Sequence, residues 1–306
     1  MRERVRLQVS ECVPGKRLDQ VLAAELGISR SLVAKLIKQN EVKVNGIVPR
    51  KSAEVARGDQ VEVLLPDASP KNLETPAPLP LLYQDEDIVV VNKPVGMAAH
   101  TAPGWDGPTV IGALLAAGQE IITSGPVERK GIVHRLDVGT SGALVVAKSE
   151  LAYRQLQADF RARRVKKTYQ ALVQGYLDPA EGTIDAPIGR HPSRDFKMAV
   201  VAGGRSAITH YRTLESLPRA TLVELQLETG RTHQIRVHMQ AIGHAIVGDP
   251  TYGANPLLAK ELGMTRQWLH AVSLGFTHPV SGEQVSFEAP LAADLEDALT
   301  RLRRGF

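Results

Sequence analysis

The chain has 306 residues, of which 43% are hydrophobic and 4% aromatic, so it can bury a sizeable core but offers few rings for stacking. Its single cysteine, Cys12, excludes an internal disulfide and a cysteine-based metal site, and no apolar run approaches the ~18 residues of a membrane span. The formal net charge is +4, and the excess lies in residues 1–65, which hold 12 Lys/Arg against 8 Asp/Glu.

This uneven charge suggests that the N-terminal segment docks on a polyanion, with a solvated basic face as the alternative. The charged start of the chain has no apolar stretch of the kind that secretory signals carry. We therefore expect a cytoplasmic protein that does not contact a membrane.

Residues 1–65 have the pattern of a small α/β module. Apolar residues at helical spacing predict a first helix over residues 17–26, ended by Gly27. Ser29 is predicted to cap a second helix, Arg30 to Gln39, whose polar face carries Arg30 and Lys35. Short strands follow, and Asn45-Gly46 predicts a tight hairpin turn.

The sequence R-L-D at Arg17, followed by S-R-S, L-I-K and V-x-V-N-G, resembles the S4 RNA-binding domain over about residues 15–65. The resemblance implies RNA contacts for Arg17, Arg30 and Lys35. Residues 66–80 are rich in proline and predict a semi-rigid linker. The remaining residues, 81–306, form the predicted large domain.

The large domain mixes strands with helices. Residues 87–91 predict a buried strand, Ser149 a helix cap, and residues 169–173 and 221–227 further strands. The region 180–215 is rich in Gly, Pro and charge and predicts loops with short strands. Because strands predominate in mixed order, we expect an α+β fold rather than a doubly wound parallel sheet.

The most informative segment is His134-Arg-Leu-Asp137-Val-Gly-Thr-Ser-Gly142. It sets Asp137 between two strand-like runs, residues 131–133 and 143–147, on a loop of the kind that commonly carries reactive groups.

A further block, residues 229–238, predicts a helix capped by Thr232 and ended by Gly243. Ile235, Met239 and Ile242 are expected to form its apolar stripe, with His233 and Arg236 together on a different face.

These two blocks, with Asn92-Lys-Pro-Val-Gly96 and Lys167-Thr-Tyr169, resemble the motifs of the RluA-type pseudouridine synthases across nearly all of residues 81–290. The family's fold is a mixed, largely antiparallel sheet. The resemblance implies that Asp137 is the catalytic carboxylate, that Tyr169 stacks on the uracil, and that Arg236 pairs with Asp137 through a two-point contact. It assigns an architectural role to the segment around Lys93. Four residues are expected to contact RNA: Arg135, Lys167, Arg231 and His233.

The implied reaction breaks the N1–C1′ bond of uridine and makes a C1′–C5 bond, so no cofactor or metal is expected. His233 and His238 lie about 140° apart around a helix, which disfavours a shared metal. Whether the carboxylate attacks C1′, removes a proton from C2′ or adds to C6 stays open.

The combined S4 and catalytic layout resembles enzymes that act on large-subunit (23S) ribosomal RNA, and we expect a monomer. The alternative is a non-catalytic RNA-binding ribosome-assembly factor on the same fold. An RNA N-glycosidase is disfavoured because no second carboxylate is evident near the motifs.

Overall fold

The computed structural model describes residues 4–9, 16–26, 28, 30–50, 53–65, 79–101, 105, 107–122, 130–194 and 197–305. The predicted Gly27 helix end, the Ser29 cap and residues 66–78 of the predicted linker lie outside the described residues. The described part of the chain divides into two compact units, one within residues 1–76 and 100–131 and the other within residues 77–99 and 132–306.

The first unit contains an antiparallel sheet in the order β1-β5-β3 and a separate two-stranded pair, β2 with β4. Its elements are β1 (Arg4–Gln8), β2 (Lys16–Arg17), α1 (Leu18–Glu25), α2 (Arg30–Lys38), β3 (Val42–Val44), β4 (Glu54–Val55), β5 (Gln60–Leu64) and α3 (Val110–Ala116).

The core of this unit follows the apolar periodicity of its sequence. Leu18 and Leu22 of α1 pack with Val33 of α2 and Val63 of β5, all fully buried or nearly so. Asn45 and Gly46 both have positive φ, 50° and 80°, which is the backbone that a tight two-residue hairpin turn requires. The predicted hairpin is therefore present, closed by a bridge between Val44 and Ile47.

The second unit is built on a nine-stranded sheet in the order β10-β13-β14-β9-β15-β8-β7-β6, with β16 also paired to β15. Its strands are β6 (Leu81–Gln84), β7 (Ile88–Lys93), β8 (Ser141–Ala147), β9 (Lys166–Gln174), β10 (Glu181–Asp185), β13 (Ile208–Leu217), β14 (Ala220–Leu227), β15 (Leu269–Thr277) and β16 (Gln284–Glu288), with a small separate pair, β11 (Ile188–Arg190) and β12 (Met198–Val200). Its helices are α4 (Glu150–Arg161), α5 (Gln234–Ala241), α6 (Pro256–Glu261) and α7 (Ala293–Arg304).

Among the described strands of this sheet, only β8 and β15 pair in parallel, and the other neighbours are antiparallel. The α+β prediction with a mainly antiparallel sheet is thus confirmed. Strands β7 and β8 are almost continuously apolar, since both of their faces are buried.

Two predictions about local structure are wrong. Residues 131–133 do not form a strand, because only Ile132 makes an isolated bridge, to Val146. The region 180–215 contains the expected short strands, but it also contains most of β13, a ten-residue strand. Several of its more buried positions are polar residues, including Thr209, Thr213 and Glu215, so the sequence lacks the apolar alternation that would have shown the strand.

The helices of the described residues are each too short or too polar to cross a membrane.

Candidate active site

Asp137 lies on a tight loop that hydrogen bonds from neighbouring segments hold from several sides. The backbone N–H of Thr140 donates to the carbonyl of Asp137 at 2.9 Å, and Gly96 N–H donates to the carbonyl of Val138 at 2.9 Å. The guanidinium of buried Arg266 donates to the carbonyl of Gly139 at 3.0 Å, and the amide of Gln267 donates to the hydroxyl of Thr140 at 3.2 Å. The loop is therefore rigid where the carboxylate leaves it.

The residues after Asp137 are small because β15 passes directly against them. Gly142 has φ +117°, and a Cβ there would lie 2.2 Å from the carbonyl oxygen of Ala271. The hydroxyl of Ser141 is hydrogen-bonded to Nδ1 of His270 at 2.9 Å. This parallel β8–β15 contact fixes the end of the loop and explains the Thr-Ser-Gly part of the motif.

Arg236 of α5 links Asp137 to a second carboxylate. Its Nη1 donates to Oδ2 of Asp137 at 3.2 Å, whereas Nε and Nη2 together donate to the two oxygens of Asp249 at 2.7 and 2.9 Å. The two-point contact was expected on Asp137 and instead falls on Asp249, so that expectation is wrong in this detail. Asp249 also accepts the backbone N–H groups of Thr251 and Tyr252, and its side chain is 0% exposed.

Electrostatics favour a permanently charged guanidinium between the two acids. Burial works against the charge of Arg236, but the hydrogen bonds and charges of Asp249 and Asp137 outweigh it and raise its pKa. The expectation that no second carboxylate lies near the motifs is thus wrong. Asp249 is the carboxylate that the sequence analysis did not identify, although it follows Arg236 closely in the chain.

The helix that carries Arg236 begins and packs differently from the prediction. Its N-cap is His233, with left-handed backbone angles φ 57° and ψ 21°, and not Thr232. Residues Gln234 to Met239 are all buried, so the helix has no solvent-facing side over this stretch. The predicted stripe holds for Ile235 and Met239, but Ile242 is 37% exposed. Gly243, with φ +87°, follows the helix end as predicted.

His233 faces both Asp137 and Tyr252. Its Nε2 lies 3.8 Å from Oδ2 of Asp137, and its Nδ1 lies 2.8 Å from the hydroxyl of Tyr252. The Tyr252 ring also lies against Arg236, with the guanidinium carbon 4.9 Å from the ring centroid. Burial lowers the pKa of His233, while the charge of Asp137 opposes that shift.

Tyr169 of β9 lines the same cleft as Asp137. Its side chain is buried, and burial followed by the charge of Asp137 raises the pKa of its hydroxyl, which therefore keeps its proton at neutral pH. The cleft has a volume of about 60 Å³, and its walls also include Arg135, Arg231, His233 and Arg236. One narrow space thus collects the carboxylate, an aromatic ring and several cations.

Lys93 is a further buried group near Asp137, for which the sequence analysis predicted no chemical role. Its side chain is 0% exposed, and its Nζ donates to the carbonyl oxygens of Pro94 and Met97. Burial lowers the pKa of Lys93 to about 7, and the charge of Asp137 only partly opposes this shift. The register that pairs Lys93 with Gly142 brings it beside the loop that carries Asp137.

His134, in contrast, is structural. Its Nε2 accepts the backbone N–H of Val145 at 3.0 Å, and its ring stacks on Phe160 with centroids 4.6 Å apart. Burial, helped by the charge of Lys167, lowers the pKa of His134 to about 3, so the ring is neutral at physiological pH.

The residues predicted to contact RNA fall into two groups. In the second unit, Arg135 is exposed at the cleft. Lys167 is partly buried, and burial and the charge of Arg163 lower its pKa to about 8. Burial and the charges of Arg205 and Arg163 lower the pKa of Arg231. In the first unit, Arg17 is paired with Asp19 at 3.0 Å and Lys35 is exposed, while the side chain of Arg30 lies outside the description.

The remaining histidines of the motif bind protein groups. His238 is hydrogen-bonded to Thr209 and to the carbonyl of Ala186, and His244 to the carbonyl of Gln174. Within the described ranges, no cluster of His, Cys, Asp and Glu side chains has the arrangement of a metal site.

The chain matches known protein families, relatives and solved structures. The family model for RNA pseudouridylate synthase matches residues 87–241, and that for the S4 domain matches residues 16–61. The chain is 51% identical to an RNA pseudouridine synthase of Mycobacterium tuberculosis over 97% of both proteins. It is 42% identical to ribosomal large subunit pseudouridine synthase D of Zymomonas mobilis over 94% of both. Among solved structures, human RNA pseudouridylate synthase domain containing 1 matches with a TM-score of 0.57 and 30% identity, covering 74% of this chain and 86% of that one.

Proposed function

We propose that this chain, which belongs to the RNA pseudouridylate synthase family, converts specific uridines of 23S ribosomal RNA to pseudouridine with Asp137 as its catalytic carboxylate. The enzyme class, an isomerase acting on RNA, follows from family membership. The ribosomal substrate is supported by relatives named ribosomal large subunit pseudouridine synthase D, which match 94% or more of this chain.

The catalytic role of Asp137 is supported by its position in the cleft and by its contact with Arg236. It lines the cleft with an 18% exposed side chain, and Arg236 binds one of its oxygens at 3.2 Å. A guanidinium beside a carboxylate orients it and forms a charge-assisted hydrogen bond with its charged form. The charged form is the one that can attack C1′, accept the C2′ proton or add to C6.

Asp249 does not supply a second catalytic base. Its oxygens are occupied by Arg236 and by backbone N–H groups, and its side chain is 0% exposed. A hydrolase that releases the base would need a carboxylate able to activate water. The burial of Asp249 therefore favours isomerisation over base release, even though this carboxylate lies close to the site.

Tyr169 is proposed to stack on the uracil while the glycosidic bond is broken. The target base must leave the RNA stack to reach a cleft of this kind. Arg135, Arg231 and His233 line the cleft, and Lys167 lies on β9, the strand that carries Tyr169. These four residues are proposed to hold the flipped nucleotide and its neighbouring phosphates. The S4 unit, with Lys35 exposed on α2, is proposed to dock on the RNA.

The isomerisation involves no net redox change or group transfer, so we propose that it proceeds without a cofactor. We further propose that the protein acts as a monomer in the cytoplasm, where ribosomal RNA is available.

Purified protein and 23S ribosomal RNA transcripts test the proposal. The wild type should leave the RNA mass unchanged while making particular uridines reactive to carbodiimide. Asp137→Asn should lower this activity more than about a hundredfold, because the amide cannot act as nucleophile or base. Asp297→Asn, the same change at an exposed position on α7, is the matched control and should retain wild-type activity.

Other outcomes identify the alternatives. A loss of RNA mass would indicate base release, and RNA binding without modification would indicate the ribosome-assembly factor. Retention of activity by Asp137→Asn would exclude the carboxylate role.

A further inference from the structure

The hydroxyl of Tyr252 has a hydrogen-bonding pattern that determines the state of His233. The oxygen accepts the backbone N–H of Met198 at 3.0 Å and lies 2.8 Å from Nδ1 of His233. Burial raises the pKa of Tyr252, so the hydroxyl keeps its proton at neutral pH. That proton needs an acceptor, and among the described residues Nδ1 of His233 is the one within hydrogen-bonding distance.

An imidazole that accepts at Nδ1 carries its proton on Nε2. If Nδ1 were protonated instead, two donors would face each other and the buried tyrosine proton would lack a partner. The neutral Nε2–H tautomer of His233 is therefore the one that satisfies both groups. In this tautomer the proton is on Nε2, the ring nitrogen that lies 3.8 Å from Oδ2 of Asp137.

The two groups that face Asp137 act on the same carboxylate oxygen. Arg236 donates to Oδ2, and His233 approaches Oδ2. Among the hydrogen bonds and ion pairs of the described residues, those of the Asp137 carboxylate involve Oδ2 alone. Within the part of the chain that the structure describes, Oδ1 has no protein donor, which leaves it as the oxygen available to react.

The backbone conformation of His233 indicates that the fold requires its ring to lie at this position. A residue with a side chain is strained in the left-handed region, and such conformations persist only where the surrounding structure enforces them. At φ 57° His233 adopts this conformation at the start of α5. The turn places its ring between Tyr252 and Asp137.

We propose that His233, held by Tyr252 as its neutral Nε2–H tautomer, is a positioning residue that acts with Arg236 on Oδ2 of Asp137 and leaves Oδ1 as the reacting oxygen. The proposal rests on the proposed function for its kinetic consequence, but the tautomer itself is a property of the protein without RNA. This role is additional to the RNA contact proposed for His233.

Nuclear magnetic resonance of protein labelled with ¹⁵N-histidine tests the tautomer directly. The His233 signals are assigned by their loss in His233→Gln, and they should show a protonated Nε2 and an unprotonated Nδ1 at pH 7. In Tyr252→Phe the preference for this tautomer should decrease. An imidazolium, or a proton on Nδ1, in the wild type would overturn the proposal.

The same spectra test the contact with Asp137. The charged groups that face His233 are Asp137, Arg236, Asp249 and Arg135. Since the charge of Asp137 favours the protonated imidazole, Asp137→Asn should move the titration of His233 to lower pH. An unmoved titration would show that Asp137 and His233 do not interact.

Pseudouridine-forming kinetics supply the functional test. Removing the Nε2–H group that approaches the Asp137 carboxylate at 3.8 Å should lower kcat by roughly tenfold in His233→Ala and His233→Asn, with KM little changed. His233→Gln can place an amide N–H near the Nε2 position and should recover much of that loss. Equal losses in the glutamine and asparagine variants would contradict the role of Nε2.

A double-mutant cycle separates this role from a structural role of Tyr252. Tyr252→Phe should lower kcat in the wild type but have little further effect in His233→Gln, whose donor needs no tautomer to be selected. The lost acceptor of the Met198 N–H is common to both backgrounds and cancels in the cycle. Equal effects in both backgrounds would overturn the proposal. If the wild type forms no pseudouridine, the proposed function fails, and the spectra still decide the tautomer.

Discussion

The substitution Asp249→Asn tests whether Asp249 holds Arg236 in place beside Asp137. The amide can keep the hydrogen bonds of one carboxylate oxygen, to Nη2 of Arg236 and to the N–H groups of Thr251 and Tyr252. The other oxygen, which accepts from Nε at 2.7 Å, becomes an NH₂ group that faces a donor. Arg236 is then a buried cation, 7% exposed, whose remaining ion pair among the described residues is the one with Asp137.

Removing one partner of a buried ion pair costs about 3–5 kcal/mol, and the remaining contact with Asp137 places the expected loss near the lower end, about 3 kcal/mol. The free energy of unfolding in urea measures it. We also expect kcat to fall, because the guanidinium that binds Asp137 is no longer fixed.

Glu215→Gln is the matched control for Asp249→Asn. It makes the same chemical change in a carboxylate that also binds an arginine, Arg303, at two points, but this pair lies on the surface with side chains 35% and 49% exposed. Exposed pairs contribute less than about 1 kcal/mol. If Asp249→Asn destabilised the protein no more than Glu215→Gln does, Asp249 would not hold Arg236 in place.

Three further predictions concern other parts of the molecule. Lys93 has a pKa of about 7 in the folded protein, against an ordinary value of 10.5. Between these two pH values the unfolded chain binds a proton at Lys93 that the folded chain does not, so the free energy of unfolding rises with pH. Relative to Lys93→Met, the wild type should gain about 1 kcal/mol per pH unit between pH 7 and 9 in urea unfolding, and parallel curves would contradict the burial of the amine. Gly142→Ala should destabilise the fold by more than about 3 kcal/mol, since its Cβ would meet a backbone carbonyl at 2.2 Å, whereas Gly230→Ala, with open space around it, should be nearly neutral; similar losses for both would refute the close approach of β15. Replacing the exposed Lys35, Lys38 and Lys43 by glutamine should reduce the salt dependence of RNA binding by up to about 0.9 per lost phosphate contact, and an unchanged slope would show that the S4 unit does not dock on the RNA.

The sequence predicted most successfully where local periodicity and packing agree. The helices α1 and α2, the turn at Asn45-Gly46 and the helix capped by Ser149 are all encoded by residues close together in the chain. The motif residues Asp137, Tyr169 and Arg236 were grouped by family resemblance, and they do line one cleft. Their placement depends on the sheet, which the motifs alone do not specify.

What could not be predicted depends on close approaches between distant segments. Lys93 reaches the loop of Asp137 because β7 and β8 pair, and apolar strands of this kind do not reveal their register. Asp249 follows the end of α5 and returns to bind Arg236, so its role depends on the turns between them. The left-handed backbone of His233 is equally hidden, because no local signal distinguishes it from a helix cap at Thr232.

The central claim, that Asp137 catalyses pseudouridine formation in 23S ribosomal RNA, is tested most directly by a site-by-site map of that RNA in cells. The map would compare cells that lack the protein with cells that express either the wild type or Asp137→Asn at equal levels. We expect defined pseudouridines to disappear without the protein, to return with the wild type and to remain absent with Asp137→Asn. An identical map in all three would contradict the assignment of the substrate, and full restoration by Asp137→Asn would contradict the assignment of the catalytic residue.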